Sequence, residues 1–179
     1  MDEYSVQGII KVTRVKIQNS AGERNLGKPK GDYITIEMPG RFYGEQKIYE
    51  EMCRVCAEEI KSLTDKFLTS DDDVVLVVGL GNRNITADAL GPKVISSLMI
   101  TRHLKEYVPD EIQEGVRSVC GIEPGVLGLT GIETGEIIRG ITEKIKPRLV
   151  IAIDALCSRK MERVNTCLLY TSDAADDSR

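Results

Sequence analysis

Two aspartates stand where parallel-sheet proteins commonly place their chemistry. Asp154 directly follows the continuous apolar run Leu149–Ile153, and Asp88 lies in the polar loop after a second such run at residues 74–78. Uninterrupted, mostly β-branched runs are typical of strands buried on both faces, and the carboxyl ends of parallel strands meet at one edge of a sheet. Two carboxylates near one cleft can hold a water, one acting as base and the other as acid. The sequence therefore predicts a candidate catalytic pair, Asp88 and Asp154.

Each aspartate also has a purely structural interpretation. Asp88 lies shortly before a predicted helix, where an aspartate commonly caps the helix or stabilises a turn. Asp154 stands at the end of a strand, where a carboxylate commonly accepts hydrogen bonds from loop amides. Both structural interpretations stay open beside the catalytic one.

Other candidate sites have weaker patterns. Gly79-Leu80-Gly81 begins like a dinucleotide-binding fingerprint, but Asn84 stands where the third glycine is required. Cys53 and Cys56 have the spacing of a metal or redox pair, yet they fall within a predicted helix and no second pair accompanies them. His103 is the only histidine and sits at a predicted helix end, where it more commonly interacts with the helix dipole. We therefore expect no cofactor and no metal site.

The strands that must position the aspartate pair follow from apolar patterning. Continuous apolar runs predict core strands over residues 74–78, 116–122 and 149–153. Alternating patterns predict half-buried strands over residues 8–18 and 32–38. We expect these last two strands to pair antiparallel at one edge of the same sheet.

Helical periodicity supplies the remaining elements. Apolar positions at three- and four-residue steps predict helices over residues 45–68 and 93–103, and the capping-box spacing of Thr130 and Glu133 predicts a third helix that runs to about Lys146. Residues 19–22 are typical of a turn. The predicted fold is a three-layer α/β domain with a largely parallel, doubly wound sheet, helices on both faces and an antiparallel N-terminal addition.

Composition excludes several classes of protein. A chain of 179 residues with 41% hydrophobic content is long enough for one domain with a single core. The net charge of −4 argues against a nucleic-acid surface, which requires clustered Lys and Arg. No apolar run approaches the roughly 20 residues that span a bilayer, and the acidic start is unlike a signal peptide. The 5 cysteines lack a framework spacing, so we expect reduced thiols, a cytosolic location and no membrane partner.

The end of the chain differs in kind from the rest. Residues 167–176 resemble the translation of a transposon-end sequencing adapter, a contaminant of environmental gene collections. Scars of this kind do not belong in a fold prediction. We therefore assign residues 1–166 to a single α/β domain, treat residues 167–179 as a non-native tail, and expect the natural protein to continue beyond Thr166.

Several longer motifs resemble one protein family. They are VGLGN at residues 78–82, DALGPK at 88–93, ITRH at 100–103, GVLGLTGIETGE at 125–136 and IAIDAL at 151–156. In order and spacing, across residues 8–166, these motifs are similar to the germination protease family of endospore-forming bacteria. The resemblance implies an atypical, metal-independent aspartic endopeptidase that degrades small acid-soluble spore proteins when spores germinate.

The resemblance also implies roles for individual residues and a mode of control. Asp88 and Asp154 match the two catalytic aspartates of the family, so the pair found from strand ends and the pair implied by resemblance coincide. The family is made as a tetrameric zymogen in the cytoplasm of the developing spore, and an amino-terminal propeptide is removed before germination. The expected partners are thus protein substrates and further copies of the chain.

Two alternatives remain open. The hydrogenase maturation endopeptidases have a similar fold and a similar strand, Gly-x-Gly-Asn and aspartate opening, but they use a nickel site that includes a later histidine, and no histidine follows His103. The second alternative is a catalytically inactive α/β fragment that only binds partner proteins. Peptidase assays on the chain and on a full-length form separate these hypotheses.

Overall fold

Two sheets of different kinds organise the chain. A computed structural model describes residues 1–39, 42, 44–159, 163–164 and 166–171. Unit 1 consists of residues 1–64 with the described residues after 157, and unit 2 consists of residues 65–157. The strands are β1 (Asp2–Val6), β2 (Ile10–Ile17), β3 (Gly31–Glu37), β4 (Val75–Gly79), β5 (Val119–Ile122), β6 (Leu149–Ile153) and β7 (Thr166–Tyr170). The α-helices are α1 (Ser20–Leu26), α2 (Gln46–Thr64), α3 (Leu90–Ser97), α4 (Arg102–Tyr107), α5 (Leu127–Thr130) and α6 (Thr134–Ile145).

Unit 1 contains an antiparallel sheet in the order β1-β2-β3-β7. The predicted pairing of the two alternating strands is confirmed, since β2 and β3 run antiparallel with Val12 opposite Ile36. Their predicted place at an edge of the parallel sheet is wrong, because they belong to a sheet of their own. The alternating residues Ile10, Val12, Ile34 and Ile36 bury one face, and Val55 of α2 packs there with them. Because α2 covers this face, the antiparallel sheet buries its apolar side chains without being part of the parallel sheet.

Two local features of unit 1 differ from the sequence prediction. The expected turn at residues 19–22 begins α1 instead, because the side chain of Asn19 accepts a hydrogen bond from Gly22 N at 2.9 Å and caps that helix. Residues 167–170, which the fold prediction left out, form most of β7 beside β3, and Cys167 and Leu169 pack against the core. The assignment of a non-native tail stays a prediction, and residues 172–179 lie outside the described residues.

Unit 2 contains the predicted parallel sheet, in the order β5-β4-β6. The central strand β4 is buried along its whole length, which fits its uninterrupted apolar run. Val77 pairs with Gly121 of β5 on one side and with Ile151 of β6 on the other. The α/β class and the shared parallel sheet are therefore confirmed, while the three-layer, doubly wound arrangement stays a prediction.

The helix predicted over residues 93–103 is divided into α3 and α4. Thr101 breaks it by bonding to β5: its backbone N donates to Val119 O at 3.0 Å, and its hydroxyl accepts from Val119 N at 2.9 Å. The apolar stripe is still used, because Ile95, Leu98 and Ile100 cover Gly121 of β5. This division also corrects the position of His103, which lies in the first turn of α4 and not at the C-terminal end of a helix.

The third predicted helix begins at Thr134 as α6, and a separate short helix, α5, lies in the glycine-rich segment before it. Thr130 does not cap α6; its hydroxyl accepts from Ile132 N at 3.2 Å, in the turn between the two helices. Glu133 holds the N-cap position of α6 without a side-chain bond to the helix, so the predicted capping box is wrong. Lys146 ends α6 as predicted, before Pro147. Within the described residues, no helix combines the length and hydropathy required to cross a bilayer.

Candidate active site

The loop that carries Asp88 is closed by short backbone hydrogen bonds. Asp88 ends a 3₁₀ turn, Thr86–Asp88, and its N–H donates to Ile85 O at 2.9 Å. Asn82 N lies 3.1 Å from the backbone oxygen of Asp88 and 2.8 Å from its side-chain Oδ2. The carboxylate of Asp88 is thus oriented by an amide only three residues after β4 ends.

Gly81 makes this close approach possible. Its φ is +111°, and a Cβ built there would lie 2.1 Å from Asp88 O and 3.1 Å from Asp88 Oδ1. A side chain at this position requires both a strained backbone and displacement of Asp88. The glycine of the predicted fingerprint therefore serves the aspartate loop.

Gly91 joins the same loop to the end of β6. A Cβ at Gly91 would lie 2.3 Å from Leu80 O and 2.6 Å from Ile153 O. Leu80 N also donates to Ile153 O at 2.8 Å. Because Asp154 follows Ile153, the loop that carries Asp88 and the residue before Asp154 are in direct contact. The predicted placement of both aspartates at the carboxyl ends of adjacent parallel strands is what the backbone shows.

The two carboxylates differ in exposure. Asp88 is half-buried and Asp154 is exposed. Oδ1 of Asp154 accepts a hydrogen bond from Ala155 N at 2.8 Å. Among the described residues, neither aspartate forms an ion pair. The loop-stabilising contacts of the structural interpretation are therefore present for both aspartates.

A charged cluster that the sequence analysis missed lies at the same edge. Arg83 Nε donates to both oxygens of Glu123, at 3.0 and 3.1 Å, and Arg83 Nη2 donates to Glu123 and, at 3.0 Å, to Ser96 Oγ. The hydrogen bonds from Arg83 lower the pKa of Glu123 below its usual value, and the same bonds raise the pKa of Arg83. Opposite charges in the loops after two adjacent strands are the sequence signal that points to such a pair.

The two cysteines considered in the sequence analysis have surroundings of their own. Cys53 is exposed on α2, and Cys56 lies beside Cys167, whose pKa falls to about 7 through a hydrogen bond with Cys56. Cys53 and Cys56, whose spacing resembles a metal or redox pair, both belong to unit 1. Among the described residues, no group of three or more His, Cys, Asp or Glu side chains is placed to hold a metal ion.

Comparisons with known proteins agree with the motifs. A family model described as "Germination protease" matches residues 1–175. The germination protease of Clostridium tetani is 54% identical over 92% of this chain and 50% of its own length. The germination protease of Clostridium acetobutylicum is 52% identical over 89% of this chain and 49% of its own length. That of Bacillus cereus is 43% identical over 93% of this chain and 45% of its own length. The chain thus spans about half the length of these curated relatives, and it belongs to the germination protease family.

Proposed function

We propose that Asp88 and Asp154 are the catalytic pair of an endopeptidase that begins the degradation of small acid-soluble spore proteins during germination. The observation that carries this proposal is the packing of Gly91 against both Leu80 O and Ile153 O, which brings the two aspartate-bearing strand ends together. Membership of the germination protease family supports the peptidase activity.

The proposed chemistry needs one ionised and one protonated carboxylate. The ionised carboxylate takes a proton from water as the water oxygen attacks the peptide carbonyl carbon. The protonated carboxylate first hydrogen-bonds the carbonyl oxygen, and a proton then reaches the leaving nitrogen as the C–N bond breaks.

The two aspartates differ in how far their side chains are exposed to water. Asp154, which is exposed, is open to bulk solvent, whereas Asp88 is half-buried and oriented by Asn82 N. An oriented carboxylate is suited to positioning the water, and an exposed one exchanges its proton readily with solvent. We assign the base role to Asp88 and the acid role to Asp154 on this ground.

The test is peptidase activity of a full-length germination protease that carries this sequence. Asp88→Asn and Asp154→Asn each remove an ionisable group while keeping side-chain size. Each change should lower kcat by about 10³-fold or more, on the scale seen when a catalytic group is removed. Asp110→Asn, in an exposed 3₁₀ turn of the same unit, is the matched control and should keep full activity. Near-normal activity in Asp88→Asn would refute the pair.

We further propose the assembly and control that the family resemblance implies. The full-length protein would be a homotetramer, made as a zymogen in the cytoplasm of the developing spore and shortened at its amino terminus before germination. Sedimentation of the full-length protein measures the tetramer, and amino-terminal sequencing before and after germination measures the processing. A monomer with an unchanged terminus would contradict this part of the proposal.

A further inference from the structure

We propose that Arg83 is a positioning residue, and that its contacts with Glu123 and Ser96 fix the loop that orients Asp88. The proposal rests on the proposed function, because it gives Arg83 a role only through the catalytic carboxylate. Its first test measures the loop itself, so the two ideas can fail separately.

The argument begins with the neighbour of Arg83. Asn82 N is the donor that orients the Asp88 carboxylate, at 2.8 Å from Oδ2. Asn82 Oδ1 in turn accepts from Asn84 N at 3.0 Å, so Arg83 is the middle residue of this turn. Contacts that fix the Arg83 side chain therefore also restrain the backbone of the turn that carries Asn82 N.

Two separate parts of unit 2 hold that side chain. Glu123, directly after β5, accepts from Arg83 Nε and Nη2. Ser96 Oγ, on α3, accepts from Arg83 Nη2 at 3.0 Å and donates to Pro92 O at 3.0 Å. Arg83 thus links the loop after β4 to the end of the neighbouring strand and to the helix that follows the loop. The rigid fork of a guanidinium suits such a two-sided contact.

Exposure indicates that this link contributes little to overall stability. The side chain of Arg83 is 54% exposed and that of Glu123 is 22% exposed. Ion pairs with this degree of solvent access add little to folding, because water and salt screen them. Loss of the link should therefore loosen one loop and leave the sheet intact.

The chain provides a closely matched control in unit 1. Arg54 is also 54% exposed and pairs with Glu51, which is 18% exposed, on the surface of α2. Arg54→Met and Arg83→Met remove the same charge and the same kind of contact at equal exposure. They differ in whether the arginine lies beside the Asp88 loop.

The first measurement is amide exchange of Asn82 in the 179-residue chain. Arg83→Met should speed exchange at Asn82 by about fivefold, the scale of an exposed ion pair, and Arg54→Met should leave it unchanged. Glu123→Gln tests the link from its other end and should act in the same direction. The charge exchange Arg83→Glu with Glu123→Arg should restore part of the protection. Unchanged exchange at Asn82 in both Arg83→Met and Glu123→Gln would overturn the proposal.

The second measurement is steady-state kinetics of the full-length protease. Arg83→Met should lower kcat by about tenfold with little change in KM, since a small misplacement of a catalytic group slows the reaction. Faster exchange at Asn82 with unchanged kcat would keep the loop contact and refute Arg83 as a positioning residue, whereas the catalytic role of Asp88 is tested by Asp88→Asn. A lower kcat with unchanged exchange would show that Arg83 acts by another route, and would refute positioning.

Discussion

Glu59 in unit 1 and Asp154 in unit 2 are carboxylates in opposite surroundings. The side chain of Glu59 is fully buried and accepts hydrogen bonds from Arg14 Nε at 3.0 Å, from Arg14 Nη2 at 2.6 Å and from the hydroxyl of Tyr4. Asp154 is exposed and accepts from its neighbouring amide. A buried carboxylate is tolerated only when its oxygens are bonded, and those bonds leave it little freedom for proton transfer. The comparison separates a carboxylate that serves the fold from one that is available for chemistry.

The proton affinities around Glu59 follow from the same contacts. Burial alone would raise the pKa of Glu59, but the hydrogen bonds from Arg14 and Tyr4 lower it below its usual value. Burial and the hydrogen bond to Glu59 raise the pKa of Tyr4 to about 12. At neutral pH, Arg14 and Glu59 therefore stay charged, and Tyr4 stays an uncharged hydrogen-bond donor to Glu59.

The largest effect should come from removing the ionisable groups of both candidate aspartates, Asp88 and Asp154. In the full-length enzyme, Asp88→Asn combined with Asp154→Asn should lower kcat by about 10³-fold or more, hardly more than either single change, because one loss already disables the pair. Activity assays of the two single variants and the double variant measure this. Losses that multiply would show that the two aspartates act independently.

Gly81, in the loop beside those carboxylates, should tolerate a side chain far less than a glycine with open space around it. Gly81→Ala places a side chain at φ +111° and 2.1 Å from Asp88 O, so it should destabilise unit 2 by about 3 kcal/mol. Gly128→Ala meets nothing within 4 Å and is the control, with an effect of about 0.5 kcal/mol or less. Urea unfolding followed by amide exchange in β4 compares the two variants. Equal effects would contradict the packing described for Gly81.

Replacing Glu59 should lower the free energy of unfolding, whereas replacing Asp154 should change it little. Glu59→Gln leaves Arg14 without its carboxylate, and since Arg14 is 43% exposed and can hydrate, unit 1 should lose about 2 kcal/mol. Asp154→Asn should change the stability of unit 2 by about 0.5 kcal/mol or less. Amide exchange in β2 and in β6 measures each unit separately. A larger loss from Asp154→Asn than from Glu59→Gln would reverse the comparison.

Acid should weaken unit 1 through the same residue. The folded pKa of Glu59 lies below its unfolded value of 4.5, so the unfolded chain binds the proton more readily. The stability that Glu59 contributes is fully present above the unfolded pKa and is lost as the pH falls through the folded pKa. Unfolding free energies of unit 1 measured from neutral pH into this acid range should fall, and less steeply in Glu59→Gln. Glu51→Gln, at a partner of Arg54 on the surface of α2, is the control and should change the slope less.

Local patterns predicted the elements around the candidate pair but not the contacts made across the chain. The bounds of β6 and the position of Asp154 at its end follow from one uninterrupted apolar run. The break before α4 does not follow from a local pattern, because it depends on hydrogen bonding between Thr101 and Val119, which lies on a separate strand. The alternating apolar pattern of residues 8–18 predicted that the strand buries one face, but it did not predict that α2 covers that face. Arg83 and Glu123 are 40 residues apart, and only the fold brings them together.

The close packing at Gly81 and Gly91 also limits how this sequence can change over generations. Every single-base change in a glycine codon that encodes another amino acid introduces a Cβ, and at these two positions that atom meets backbone oxygen. A lineage under selection for this loop therefore loses nearly all point mutants at both codons, while the codons for Gly128 and Gly140, where a Cβ meets nothing within 4 Å, are open to drift. Within unit 2, these two positions beside the aspartate loop are therefore more constrained than Gly128 and Gly140, although glycine carries no side chain.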